Sequence, residues 1–192
     1  MKNIQNKINL FAALAITIFI SLACSGGSQQ AEANKIVAEA NKKLEEARAL
    51  ITKTDERNTA LFDENIQTNA QLKSYKERKS DEAKAIVADY EKVSDALKDI
   101  SSKYADVSRM NVSDKYKEYT KIKSEEFALR AEAVTASKGN PQAFNELDDP
   151  RKMVARFKEN NEKSAKLFKD ADELGAKAKK IEEENKDIFK EV

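Results

Sequence analysis

Three kinds of reactive side chain are available to this chain: one thiol at Cys24, carboxylates gathered in Asp148-Asp149 and Glu182-Glu183-Glu184, and serines, threonines and lysines spread along its length. A thiol can act as a nucleophile or metal ligand, paired carboxylates can hold a cation or move a proton, and a serine beside a lysine can be activated. Histidine is absent, which removes the commonest general base and the commonest transition-metal ligand together. Nor do the acidic runs converge, because consecutive helical residues point about 100° apart and three adjacent glutamates face three directions. A di-iron bundle needs Glu-x-x-His on facing helices and is excluded. No EF-hand, Walker, dinucleotide-binding glycine or nucleophile-elbow pattern occurs. The one route left to catalysis is a Ser-Lys dyad, which requires a polar cleft holding a lysine of depressed pKa. The chain therefore reads as non-enzymatic, with no catalytic residue, no cofactor and no metal.

Cys24 is explained by its neighbours. Lys2 and Lys7 form a short positive segment, and Ile8 to Ile20 is an apolar run broken only by Asn9 and Thr17. That run is of signal-peptide length and too short for a bilayer, which takes roughly 20 apolar residues. Ser21-Leu22-Ala23 leads into Cys24, and the small, polar Ser25-Gly26-Gly27-Ser28-Gln29-Gln30 follows. Residues 1–24 resemble a bacterial lipoprotein signal peptide with its lipobox. Ala23 fits that pattern; Ser21 departs from it, since the family usually has leucine three residues before the cysteine and here the leucine is Leu22. The resemblance implies cleavage before Cys24, diacylation of its thiol, and often acylation of the new amino group. Two or three acyl chains anchor stably where one binds only marginally. The expected organisation is a removed signal at 1–23, a lipidated cysteine and tether at 24–30, and a single domain at 31–192.

Removing residues 1–23 leaves 169 residues with 33 basic and 34 acidic side chains. A balance this even, with both signs interspersed, gives no drive toward nucleic acid and no basic patch for anionic headgroups. Only 4 glycines and 2 prolines occur in the whole chain, too few for the turns that sheets require. The fold class is accordingly all-α.

The elements follow from spacing. Ala33, Val37, Ala40, Leu44, Ala47 and Ile51 recur at steps of three and four, with Ile36 and Leu50 widening the stripe. Thr52 to Thr59 replaces the expected apolar residues with polar ones; it reads as a bend or short loop, or else as part of one helix continuing to Lys79. Ser80-Asp81-Glu82-Ala83 either caps a new helix or rides through as a charged turn. The clearest stripe is Ala83, Ile86, Val87, Tyr90, Val93, Leu97, Ile100, Tyr104 and Val107, with Tyr90 and Tyr104 expected at the core edge, hydroxyls in water. Met110 to Asp114 is a tight connection with Asn111 or Ser113 as N-cap. A third helix carries Tyr116, Tyr119, Ile122, Phe127, Ala133 and Val134, and Gly139-Asn140-Pro141 is expected to end it. The last helix starts with Asp149 as N-cap and Pro150 at its first position. Its stripe includes Met153, Val154, Phe157, Ala165, Phe168, Ala171, Leu174, Ala178, Ile181, Ile188 and Phe189, interrupted by Asn160 and Asn161.

These elements predict an elongated antiparallel helical bundle, or coiled-coil-like hairpins, of three to four long helices. The function expected is that of a lipid-anchored cell-envelope scaffold, spacer or protein-binding module. It would lie on the periplasmic face of the outer membrane in a Gram-negative cell, and on the extracytoplasmic face of the cell membrane otherwise. Its partners would be the membrane, through Cys24, and an envelope protein or a second copy, with no nucleic acid. The alternative is a carrier whose bundle opens around a hydrophobic ligand or lipid, lined by the tyrosines and phenylalanines of the last three helices.

Overall fold

The computed structural model describes residues 29–189, so Cys24 and the signal segment lie outside the described residues. Four long helices account for nearly all of them: α1 (Gln30–Leu61), α2 (Asn69–Ser108), α3 (Asp114–Glu146) and α4 (Pro150–Glu184), followed by the single turn α5 (Lys186–Phe189). Short connections make successive helices antiparallel neighbours. The direction is visible in the cross-contacts, since Glu39, Lys43 and Arg57 of α1 meet Lys103, Asp99 and Asp89 of α2 in descending order. The protein is an elongated antiparallel all-α bundle in which α2 packs on α1 and α3, and α4 packs on α3. At about 1.5 Å per residue, helices of 32–40 residues make it roughly 50–60 Å long.

Each start has a local cause. Thr68 and Gln71 form a capping box at α2, the Thr68 hydroxyl accepting from the Gln71 N–H while the Gln71 side chain accepts from the Thr68 N–H. Ser113 caps α3 by accepting from Tyr116 N–H, and Asp149 caps α4 ahead of Pro150. The α1 stripe is buried as its spacing predicts. So is that of α2, where Tyr90, Tyr104, Ile86 and Ile100 are among the largest fully enclosed side chains. Burying one such side chain stabilises by roughly 1.5–3 kcal/mol.

Four expectations are corrected. Residues 52–59 form neither a loop nor a bridge to Lys79: α1 continues through them, the break falls at residues 62–68, and Ser80-Asp81 lies inside α2. Thr52, Thr54 and Thr59 are accommodated by donating their hydroxyls to the carbonyls of Arg48, Leu50 and Asp55 one turn back. Second, Gly139-Asn140-Pro141 does not end α3, which runs on to Glu146 with Pro141 inside it. The lost N–H and the ring's clash with the preceding turn cost about 3 kcal/mol. They are offset by Asn140, which donates to Asn161 Oδ1 at 2.7 Å and accepts from Asn160 at 3.1 Å, and by burial of Pro141, Ala143 and Phe144 beyond it. Third, Tyr90 and Tyr104 are wholly buried, and their hydroxyls donate to Asp55 at 2.7 Å and Asn41 at 3.0 Å rather than meeting water. Last, the α4 stripe departs from the reading at two positions: Met153, Ala171 and Ala178 are buried as their spacing predicts, but Val154 and Ala165 are exposed, while Ser164 is buried against Ser137.

Candidate functional site

A charge cluster buried around α3 is the most chemically loaded place among the described residues. Lys123, Glu126 and Arg130 are all buried, Glu126 completely. The Glu126 carboxylate accepts from Lys123 Nζ at 2.6 Å on one oxygen and from Arg130 Nε at 2.9 Å on the other, while Arg130 reaches Asp172 of α4 at 2.8 Å. Helical geometry builds it, since residues three and four apart on α3 stack on one side. Gly175 completes it: a Cβ there would stand 3.2 Å from Glu126 Oε1, a tight contact, so the missing side chain at residue 175 eases the close approach of α4 to this carboxylate.

Burial pushes the Lys123 amine below lysine's usual range, against the opposing attraction of Glu126. The Arg48 guanidinium of α1 is lowered by burial and then by the like charge of Arg130, with Glu126 pulling the other way. A buried amine of depressed pKa is the feature a Ser-Lys mechanism would require. Here its Nζ is committed to Glu126 and lies 4.6 Å from the centre of the Phe127 ring. The neighbouring hydroxyl of Thr120 donates to the carbonyls of Tyr116 and Lys117. The cluster thus locks α3 to α4 rather than presenting a nucleophile.

A surface groove of about 450 Å³ lies elsewhere, lined by Lys98, Ser101, Ala128, Ala131, Glu132, Thr135 and Lys163. No aromatic side chain lines it. The rings that a carrier would use are packed on one another: Tyr104 stacks on Phe127 at 5.6 Å, Tyr119 meets Phe189 at 4.8 Å, and Phe62 meets Phe157 at 4.5 Å. Burial raises the phenol pKa of Tyr116 and Tyr119, as it does for Tyr90 and Tyr104.

The acidic runs are dispersed as helical geometry requires. Asp149 caps α4, Asp148 pairs with Lys76 at 2.8 Å, and Glu183 and Glu184 face Lys179 and Lys180 on the surface. Among the described residues, no group of three His, Cys, Asp or Glu side chains is gathered as a metal site, and no helix is long and apolar enough to cross a membrane. Sequence reasoning missed Lys123, Glu126 and Arg130. A signal for them existed, because Tyr116, Thr120, Lys123, Phe127, Arg130 and Val134 keep the three-four rhythm, placing two cations on the core seam. No protein family, curated protein or solved structure matches this chain.

Proposed function

We propose that the protein is a lipid-anchored, non-enzymatic component of a bacterial cell envelope, serving as a helical scaffold, spacer or protein-binding module. The observation that carries the reading is the order of residues 1–30: a positive start, an apolar run too short to span, one cysteine, and a small polar tether leading into helix. A long bundle suits a spacer, because it holds its two ends about 50 Å apart on rigid elements. The buried charges suit the same role, being internal ties that fix how α4 lies on α3. Partner contact would use the outer faces of long helices, the usual mode for such surfaces.

Expression of the full chain in a lipoprotein-processing bacterium tests this. The expected mature mass begins at Cys24 and carries two or three acyl chains, with the protein in the membrane fraction and Cys24→Ala released from it. A mass that retains residues 1–23, or a mature protein without acyl chains, overturns the reading.

A further inference from the structure

Which end of the bundle meets the membrane is decided by how α1 begins. Gln29 is fastened to the α2–α3 connection by two hydrogen bonds, its N–H donating to the Asn111 carbonyl at 3.0 Å and its side-chain oxygen accepting from the Asn111 N–H at 2.7 Å. The short turn α5 closes over the same end, where Phe189 packs 5.5 Å from Tyr116 and 4.8 Å from Tyr119. Four residues separate Cys24 from Gln29, and even fully extended the five steps between the two span at most about 17 Å. We propose that this end, made of Gln29, residues 109–113 and α5, rests on the lipid surface that holds Cys24, with the bundle standing on it. The opposite end, with residues 62–68 and 147–149, is then carried roughly 50 Å away.

The flanks support standing over lying flat. Among the described residues the one exposed large hydrophobic side chain is Val154, and it belongs to the far end. Of the cations near the Gln29 end, Arg109 pairs with Asp106, Lys115 with Glu118 and Lys117 with Asp114, which weakens their pull on anionic headgroups. The half-buried apolar groups Met110, Ile188 and Phe189 lie instead at the end that the tether brings down. Contact is thus imposed by the covalent anchor and does not depend on charge.

This inference rests on the lipidation proposed above, and its test separates the two. The full lipidated chain is purified with either Asn111→Cys or Asn65→Cys carrying a fluorophore, the Cys24 sulfur being consumed by the acyl linkage. Each is reconstituted into phosphatidylcholine vesicles containing a nitroxide-headgroup lipid. Residue 111 is expected to lose most of its emission and residue 65 almost none, and Lys115→Cys is expected to repeat the result for residue 111. Intact mass is read on every sample. Acylated protein with both ends quenched alike, or with neither quenched, overturns the orientation while leaving the anchor in place. A protein lacking acyl chains overturns both.

Discussion

Replacing Glu126 by glutamine should be the most damaging near-isosteric change in the bundle. The amide keeps the shape but removes the negative charge that two buried cations share, Lys123 at 2.6 Å and Arg130 at 2.9 Å. Removing one member of a buried pair leaves an uncompensated interior charge and typically costs about 3–5 kcal/mol. That is a large part of the roughly 5–15 kcal/mol that holds a domain of this size together. Arg130 is cushioned because Asp172 still pairs with it at 2.8 Å. The loss therefore falls mainly on Lys123, whose amine burial already disfavours in its charged form.

The assay is urea unfolding of residues 25–192, followed by helical circular dichroism. With a slope of about 2 kcal/mol per molar, the midpoint should fall by roughly 2 M in Glu126→Gln. Lys123→Met should cost less, since Glu126 keeps Arg130. The double variant Lys123→Met/Glu126→Gln should recover most of the loss, because no unpaired cation then remains and the amide oxygen can still accept from Arg130. A Glu126→Gln midpoint within about 0.5 M of wild type would refute the argument. So would a double variant no more stable than Glu126→Gln alone, since destabilisation would then come from something other than the stranded ammonium.

Three further outcomes follow from the same geometry. All five tyrosines have phenol pKa values raised by burial, so the native state keeps protons that the unfolded chain releases above about pH 10. The stability they contribute is full below pH 10 and is lost as pH rises, at about 1.4 kcal/mol per tyrosine per pH unit. Lys123 acts in the opposite direction but is one group against five; helix loss and tyrosinate absorbance should therefore appear together, and tyrosinate forming near pH 10 with the helices intact would contradict this. Gly175→Ala gains about 1 kcal/mol of helix propensity, but its Cβ meets a carboxylate pinned by two cations, so urea titration should show a net loss of about 1 kcal/mol. A stabilised variant would show that Glu126 can move. Pro141→Ala should stabilise by about 1 kcal/mol, the roughly 3 kcal/mol of helix-interior cost outweighing two buried methylenes at about 0.8 kcal/mol each, and lowered stability would mean that the ring's packing dominates.

How much of this was legible depends on what each helix faces. α1 and α2 bury one narrow side, so large apolar residues mark it, and Val37, Leu44, Ile86, Tyr90 and Leu97 stand where their spacing puts them. The starts of α3 and α4 were legible because a cap is a local bargain between a side-chain oxygen and the next two or three N–H groups. α3 resists the same reading because, whereas α2 meets its two neighbours with one stripe, α3 buries residues around much of its circumference, so no single stripe describes it. On the side toward α4, small residues such as Ala133, Ser137 and Gly139 set a close approach, and a close approach is what encloses Lys123, Glu126 and Arg130. Those three have the composition of an ordinary solvated face, and Lys-x-x-Glu is also the spacing of an exposed ion pair such as Lys79–Glu82. Only the partner across the gap, Asp172 with Gly175 beside it, turns a surface pattern into an interior tie. The lipidation proposed for Cys24 rests on a signal of another kind: it would be directed by the covalent sequence around the cysteine, before any bundle exists to enclose it.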